Sequence, residues 1–214
     1  MNCLVVAATA TEIADFIDHY RKNQTHFDHE IDVLITGIGL TAATYSITKH
    51  LSLKRPDLII QAGIAGSFDK NIPLGSVVAI KQEAIADESV MESKKLITLF
   101  DLKLKKSNHL PFKNDWLINP DKRFFKKYKP VTGISVNHIS TDKKMIGFYK
   151  EKFRPHVESM EGAALHYVCL SEKIPFLQLR SISNYIGERN KKNWQMKEAI
   201  HNLNNELIRL FKSI

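Results

Sequence analysis

The sequence predicts an α/β protein, folded as one three-layer α/β/α domain around a central, mostly parallel (mixed) sheet. Two observations support this fold class. Short runs rich in Val, Ile and Leu alternate with helical patterns along the chain, as in domains that hold a parallel sheet between helices. With 214 residues, 43% of them hydrophobic and 25% charged, the chain has the size and composition of a single globular domain, which we assign to residues 1–214.

The predicted elements follow one another in a regular order. Each β-branched run has the length of a buried strand, and the segments between them place apolar residues three and four positions apart, as a helix does. We predict strands at 3–8, 32–36, 57–63, 76–81, 131–136 and 175–182, and helices at about 11–21, 40–53, 142–152, 160–173 and 192–213. In the last helix, Ile200, Leu203, Leu207 and Leu210 form one stripe that we assign to the core.

Residues 85–130 have the least regular pattern, and we expect an insertion or a mobile cover there. The net charge of +8 lies in the same region, since residues 94–129 hold eleven Lys or Arg against three Asp or Glu and the rest of the chain is neutral. A basic stripe can bind phosphates. No RNA- or DNA-binding signature accompanies this one, so we interpret it as a solvated surface and expect no nucleic-acid partner.

Other features indicate a cytoplasmic protein without a membrane partner. No apolar run reaches the roughly 20 residues that a membrane helix needs. The apolar N-terminus has neither a basic segment nor a cleavage site, and it fits a buried strand better than a signal peptide. Cys3 and Cys169 lie in apolar elements without metal-type spacing, which predicts buried free thiols.

The segment from Gly37 to Ala42 matches the Gly-x-Gly-x-x-Ala pattern of dinucleotide-binding folds. Such folds also need an acidic residue at the end of the next strand. Asp57 is at the right distance but precedes its strand, so we reject a dinucleotide site. The turn either lets backbone N–H groups approach a small polar ligand or allows a helix and a strand to pack closely.

Carboxylates and an amide stand where strands or loops lead into apolar segments. Glu12 is either a first-turn carboxylate stabilised by the helix dipole or a general base at the carboxyl edge of the sheet. Glu158 and Glu161 flank Met160 at the predicted start of an apolar helix, where they would be neighbours on one face. Asn184 ends an apolar strand. The pattern suggests a pocket that holds a sugar with Glu161 and a heterocyclic base with Asn184.

The third strand runs into a turn of small residues, Ala62-Gly63-Ile64-Ala65-Gly66-Ser67-Phe68. Small side chains let the backbone approach a ligand, which makes Ala65 and Gly66 candidate binding residues. Phe68 either stacks on a ring of the ligand or fills the core.

Glu12, this glycine turn, the block from Glu158 to Ala164 and the segment from Arg180 to Asn184 resemble, in this order, the nucleoside phosphorylase and nucleosidase superfamily. The similarity covers nearly the whole chain except the basic stretch within 85–130. Within the superfamily the chain looks most like the futalosine hydrolases, which remove hypoxanthine from futalosine in menaquinone biosynthesis. The resemblance implies the three-layer fold, a small-molecule nucleoside substrate, no metal or organic cofactor, and a homo-oligomer.

The resemblance also implies a role for single residues. Glu161 matches the family glutamate that receives the ribose hydroxyls, Met160 packs against the ribose, and Glu12 matches the carboxylate that activates water. An N-ribosidic bond breaks through an oxocarbenium-like state, so a carboxylate near the sugar and a donor near the base both help. The implied catalytic residues are Glu12, Glu161 and Asn184, and the implied substrate-binding residues are Ala65, Gly66, Phe68, Ile139, Met160, Glu161 and Asn184.

Asn184 departs from the adenine-releasing members of the superfamily, which have Asp at the matching position. A protonated Asp can donate to purine N7 and accept from a 6-amino group, whereas an Asn amide donates to the N7 and O6 acceptors of a 6-oxopurine. Asn184 therefore favours hypoxanthine as the released base. A mismatch of hydrogen-bonding groups of this kind discriminates strongly between substrates.

Hydrolysis is favoured over phosphorolysis. Hexameric bacterial phosphorylases have an Arg two residues before the matching glycine turn, and here Gln61 stands there, which removes the bidentate anion clamp. We expect Arg180 to be structural or to pair with Glu158. The alternatives are a methylthioadenosine/adenosylhomocysteine nucleosidase, a purine nucleoside phosphorylase, and a non-catalytic protein that binds RNA or acidic partners through residues 94–129.

Futalosine has a carboxyphenyl group on its sugar side chain, so its pocket needs a cation beside an aromatic surface. The candidates for the cation are Arg189, Lys191, Lys192 and the 94–129 segment, and those for the ring contact are Phe68, Trp116 and Tyr185. A solvated loop position is the more ordinary interpretation of Arg189.

Overall fold

The structure is a computed structural model that describes the backbone of residues 1–214 and every side chain except that of His26. The strands are β1 (Asn2–Ala7), β2 (Glu30–Ile35), β3 (Leu58–Ser67), β4 (Val77–Ile85), β5 (Ser89–Glu92), β6 (Lys95–Thr98), β7 (Leu117–Ile118), β8 (Pro130–Ser135), β9 (Val157–Ser159) and β10 (Phe176–Tyr185). The α-helices are α1 (Ala14–Lys22), α2 (Leu40–Leu53), α3 (Lys143–Phe153), α4 (Gly162–Glu172) and α5 (Met196–Phe211).

The main sheet is mixed and mostly parallel, as predicted. Its strands lie in the order β10, β4, β8, β9, β3, β1, β2, and β7 adds a short antiparallel pairing to β4. Strand β3 is parallel to β1 and β10 and meets β9 in antiparallel orientation at its end. The pairings of β3, β10, β4, β8 and β9 therefore close into a ring, with the carboxyl ends of β1, β3 and β10 at one side.

Helices cover both faces of the sheet, which confirms the three-layer fold. Alternate residues of β1 point to opposite layers. Cys3 and Val5 pack in one apolar cluster with Leu203 of α5, whereas Leu4 and Val6 pack in another that includes residues of α2 and α4. Both cysteines are free and buried, as expected.

The apolar runs that predicted strands all form strands, with ends that differ by at most four residues. The sequence missed the hairpin β5–β6 and the short strands β7 and β9, which are too brief to show periodicity. The missed β9 corrects one prediction. Because residues 157–159 are a strand and α4 begins only at Gly162, Glu158 and Glu161 are not neighbours on a helix face.

The region 85–130 is mostly turns around the hairpin β5–β6 and a 3₁₀ turn at Arg123–Lys126. Phe124 and Tyr128 from this region are buried in the cluster that also contains α5. Among the described residues, no helix combines the length and apolar character that crossing a membrane requires.

Candidate active site

A cavity of about 460 Å³ opens at the carboxyl ends of β1, β3 and β10. Carboxyl ends of strands are where α/β folds build their binding sites, because the loops that follow the strands meet there. Most of the predicted site residues line this cavity together, although they come from five segments of the chain: Glu12, Ala65, Gly66, Ile139, Met160, Glu161 and Asn184.

Glu12 lies in the 3₁₀ turn Ala10–Ile13 that follows β1, and it is 9% exposed. Its Oε2 accepts hydrogen bonds from the N–H and hydroxyl of Thr9, at 3.0 and 3.1 Å, and its Oε1 accepts one from the N–H of Ile64 at 3.1 Å. The side chain thus ties the first turn to the end of β3 and also faces the cavity. Both interpretations that the sequence allowed for Glu12, a first-turn carboxylate and a group at the sheet edge, describe its position.

Asn204 holds the backbone of Glu12 from below. Its amide nitrogen donates to the carbonyl of Glu12 at 2.9 Å, and its amide oxygen accepts from the N–H of Phe16 at 2.8 Å. Asn204 is buried on α5, so the start of the first helix is anchored to the last one. The sequence offered one signal for this residue: a polar amide inside the apolar stripe of α5.

Glu161 precedes α4 and is 5% exposed. Its Oε1 accepts from the N–H of Gly39 at 3.1 Å, and its Oε2 lies 3.4 Å from both terminal nitrogens of Arg180. Gly39 has φ of +94°, a conformation that favours glycine, and this conformation presents its N–H to the carboxylate. The glycine turn that resembled a dinucleotide motif therefore binds a carboxylate of the protein itself.

Arg180 pairs with Glu161 and not with Glu158, which corrects the expected partner. Glu158 accepts hydrogen bonds from the N–H of Ser140, at 3.0 Å, and from its hydroxyl. Burial raises the pKa of Glu158, while the bonds from Ser140 oppose that rise. Two carboxylates three residues apart thus have separate partners, and only Glu161 has a cation.

Asn184 is the penultimate residue of β10 and lies half-buried in the cavity wall. The Ser183 hydroxyl donates to its Oδ1 at 2.9 Å, and its Nδ2 donates to the carbonyl of Tyr185 at 3.3 Å. A side-chain Cβ at Gly66 would lie 3.3 Å from that Nδ2 and 2.4 Å from Ile186, so glycine leaves the space beside the amide open. With its oxygen bound to Ser183, Asn184 has one N–H left for a ligand.

The outer part of the cavity is formed by the segment 186–196, in which the sequence had suggested Arg189, Lys191 and Lys192 as candidate cations. The Arg189 guanidinium lies 5.8 Å from the centre of the Trp194 ring, and both residues line the cavity. The Trp194 indole N–H donates to the carbonyl of Glu188 at 3.0 Å, and the N–H of Gln195 donates to Ser183 at 2.8 Å. The sequence interpretation of Arg189 as an ordinary solvated residue is half right: it is exposed, and it borders the cavity.

Three aromatic residues proposed as ring contacts lie elsewhere. Phe68 and Trp116 pack against the apolar cluster around Ile134, and the Tyr185 hydroxyl donates to the carbonyl of Ile72. Phe68 is partly buried against this cluster, which is close to the second of the two roles that the sequence allowed, and it does not line the cavity. Ile200, expected in the core, lines the cavity instead.

Three further observations concern a cover for the cavity, a metal site and a phosphate clamp. None of residues 85–130 lines it, so within the described structure the basic segment does not cover the site. Among the described residues, no group of three His, Cys, Asp or Glu side chains is placed to hold a metal ion. Gln61, which the sequence comparison with phosphorylases led us to expect in place of an Arg, is buried, and its side-chain oxygen accepts from Arg180 at 3.2 Å.

No protein-family model matches the chain, but individual nucleosidases and futalosine hydrolases are similar to it. It is 30% identical over 161 residues to the 5′-methylthioadenosine/S-adenosylhomocysteine nucleosidase of Buchnera aphidicola, and the alignment covers 72% of this chain and 66% of that protein. It is 25% identical over 178 residues to the futalosine hydrolase of Thermus thermophilus, covering 83% and 79%. The 5′-methylthioadenosine/S-adenosylhomocysteine nucleosidase of Helicobacter pylori shares the fold, with a TM-score of 0.80 and 17% identity over 100% and 99% of the two chains.

Proposed function

We propose that this chain, a member of the nucleoside phosphorylase/nucleosidase superfamily, hydrolyses the N-ribosidic bond of a 6-oxopurine nucleoside. The proposed substrate is futalosine and the proposed product is hypoxanthine, which would place the enzyme in menaquinone biosynthesis. The observation on which this substrate depends is the amide of Asn184, oriented by Ser183 in the wall of the cavity that Glu12 and Glu161 also line.

The orientation of Asn184 supports the choice of base. Because the Ser183 hydroxyl donates to Oδ1 and Nδ2 donates to the carbonyl of Tyr185, the amide is oriented and keeps one N–H that has no partner among these bonds. Hypoxanthine presents the acceptors N7 and O6 on that edge, whereas adenine presents N7 and a 6-amino donor. A 6-amino group would face an N–H without an acceptor, and an unpaired buried donor is costly. The amide also stabilises the negative charge that develops on a departing purine.

The carboxylates support the chemistry at the sugar. Glu161 would receive the ribose hydroxyls, with its charge balanced by Arg180 and its orientation set by Gly39. Met160, half-buried at the cavity wall, would pack against the ribose. Glu12 would take a proton from a water molecule while the oxygen of that water forms a bond to C1′. The C1′–N9 bond breaks at the same time, and its electron pair leaves with the purine.

The outer part of the cavity supports a nucleoside with an anionic, aromatic 5′ group. Arg189 supplies a cation, and Trp194 supplies a flat ring already stacked with that cation. Lys191 and Lys192 follow in an exposed turn but do not line the cavity. The carboxyphenyl group of futalosine has the charge and the ring that such a pair would bind.

A methylthioadenosine/adenosylhomocysteine nucleosidase is the second candidate, because the Buchnera relative at 30% identity has that name. The apolar side chains of Met196 and Ile200 beside Trp194 also suit a thioether. A purine nucleoside phosphorylase is less well supported, because Gln61 offers no positive charge for phosphate and its amide oxygen is bound to Arg180. RNA binding through residues 94–129 has no support beyond charge.

One assay separates these candidates. The protein is incubated with futalosine, inosine and methylthioadenosine, with and without phosphate, and the released base is measured by chromatography. We expect hypoxanthine from futalosine, independent of phosphate and faster than from inosine. Adenine from methylthioadenosine without hypoxanthine from futalosine would refute the proposal, and a sugar 1-phosphate product would select the phosphorylase. Light scattering of the same sample checks the proposed homo-oligomer.

A further inference from the structure

Behind Glu161 and its ion-pair partner Arg180 lies a chain of polar side chains to which the proposed chemistry gives no role. Arg180, Gln178, Glu83 and His166 are each at most 2% exposed, and they come from β10, β4 and α4. Burying charged and polar groups costs free energy unless each finds a partner. These groups all have partners, and the partners form one connected path that ends at Glu161.

The first link is the tautomer of His166. Its Nδ1 lies 2.9 Å from the carbonyl oxygen of Leu117, which can only accept, so Nδ1 has the proton and Nε2 is an acceptor. Burial lowers the pKa of His166 to about 3, which keeps the ring neutral. The Gln178 amide nitrogen lies 3.2 Å from that Nε2.

The second link is the orientation of the Gln178 amide. Besides His166 Nε2, its Nε2 lies 2.9 Å from Glu83 Oε1. Two acceptors therefore hold the two amide hydrogens, and the amide oxygen must point the other way. That oxygen accepts from Arg180 Nε at 3.2 Å. Glu83 and His166 thus determine which end of Gln178 meets Arg180.

The third link is Arg180 itself. Besides Gln178, it donates to the side-chain oxygen of Gln61 at 3.2 Å and to the carbonyl of Ile64 at 3.4 Å. A Cβ at Gly63 would lie 2.4 Å from its terminal nitrogen, so the glycine makes room for the guanidinium. The guanidinium is held on several sides before it contacts Glu161.

The charges in this cluster support the same arrangement. Burial raises the pKa of Glu83 to about 8, against the opposing charge of Arg180 and a hydrogen bond from Ser135. When Glu83 is neutral, it does not compete with the Glu161 carboxylate for the positive charge of Arg180. The ion pair then lies in a low-dielectric region, where it is strong and directional.

We propose that Glu83, His166 and Gln178 are positioning residues that act through Arg180 to hold the Glu161 carboxylate in the orientation that receives the ribose hydroxyls. This inference rests on the role of Glu161 in the proposed function. A group that positions a catalytic side chain is tested by its coupling to that side chain, because a residue that only supports the fold would act independently of it.

The test is a double-mutant cycle with futalosine as substrate. Gln178→Met keeps the length of the side chain and removes its hydrogen bonds. We expect kcat/KM to fall about tenfold in the wild-type background, the usual order for losing a hydrogen bond that orients a functional side chain from behind. In the Glu161→Gln background, where the ion pair is already lost, the same substitution should cause no further fall. Equal losses in both backgrounds would overturn the proposal.

A second pair of variants guards against misfolding of Gln178→Met. Glu83→Gln keeps an oxygen that can accept from Gln178, and we expect kcat/KM within about twofold of wild type at pH 7, since the acceptor is retained. Glu83→Met removes the acceptor and should lose about as much as Gln178→Met. Thermal melting checks that both Glu83 variants are folded. Equal kcat/KM in the two folded variants would overturn the proposal.

The control variant is Glu206→Gln, which removes a carboxylate on α5 whose partners Tyr128 and Arg209 lie away from the cavity. It should leave kcat/KM unchanged. Full activity of Glu161→Gln alone would show that the role proposed for Glu161 is wrong, and with it this inference. If Glu161→Gln strongly impairs the enzyme and Gln178→Met causes the same further loss of kcat/KM in that background, the role of Glu161 stands and only the positioning role of Gln178 is rejected.

Discussion

The floor and the rim of the cavity differ in burial and in charge. The floor, formed by Glu12, Glu161 and Asn184 with Arg180 beneath them, is buried or half-buried, and each of its polar groups has a partner within the protein. The rim, formed by residues 186–196, is largely exposed and is tied down by a few hydrogen bonds such as Trp194 to Glu188. In the proposed function, the floor binds the ribose and the purine, and the rim binds the 5′ group.

This difference indicates which substitutions should change the catalytic rate and which should change the binding of the 5′ group. Charges on the floor are desolvated and preoriented, so they can stabilise a transition state strongly. Charges on the rim are screened by water and contribute modestly to binding. Substitutions on the floor should therefore change kcat by large factors, and substitutions on the rim should change KM for particular substrates.

The largest effect is expected from breaking the floor at Glu12. Glu12→Gln keeps the shape of the side chain but cannot accept a proton from water, so kcat for futalosine should fall about 10³-fold, a typical contribution of general base catalysis. Stopped assays of hypoxanthine release measure this, with thermal melting to check folding and Glu206→Gln as the matched carboxylate control. Turnover within a few-fold of wild type would remove Glu12 from the mechanism.

The next effect concerns the base-binding end of the floor. Asn184→Asp replaces an amide N–H with a carboxyl oxygen, so the ratio of rates on 6-oxopurine and 6-aminopurine nucleosides should shift towards the amino compounds, by about 10²-fold, since hydrogen-bond mismatches discriminate by this order. The measurement compares inosine with adenosine, which differ at this edge of the base. An unchanged ratio would mean that Asn184 does not contact the base.

The pH dependence of stability tests the buried layer under the floor. Burial raises the pKa of Glu83 from 4.5 to about 8, so between these values the folded protein keeps a proton that the unfolded chain has released. The contribution of Glu83 to the free energy of unfolding therefore falls as the pH rises through that window. Glu83→Gln cannot ionise, and its loss of stability from pH 5 to pH 8 should be smaller by on the order of 2 kcal/mol. Urea denaturation at several pH values measures this, and parallel curves for the two proteins would contradict it.

The smallest effect is expected at the rim. Arg189→Gln removes an exposed cation, so KM for futalosine should rise about fivefold, in keeping with the worth of an exposed ion pair. Inosine has no anionic 5′ group and should be unaffected, which makes it the internal control, and kcat should stay the same for both. A matched rise in KM for inosine would show that Arg189 shapes the cavity without contacting a 5′ anion.

The sequence predicted much of the site because its chemistry is concentrated in short segments. Met160 and Glu161 are adjacent in the sequence, and so are Ser183 and Asn184, so the residue types and their order are visible along the chain. At the rim, the sequence named Arg189 as a candidate cation but missed Trp194, because the two residues are five positions apart in a loop without periodicity and their stacking depends on the path of that loop. Asn204 was overlooked because a lone amide in an apolar stripe does not show which carbonyl it will bind.

The sequence by itself determined the fold class, the strand and helix order, and the residue types at the centre of the site, since apolar periodicity and glycine turns are local properties. Only the tertiary structure decided the partners. It paired Arg180 with Glu161 instead of Glu158, packed Phe68 against an apolar cluster away from the cavity, and used the N–H of Gly39 for a carboxylate of the protein itself. The physical reason is that β9 and the closed ring of strands bring together residues more than 100 positions apart, and hydrogen bonds depend on distances that periodicity does not contain.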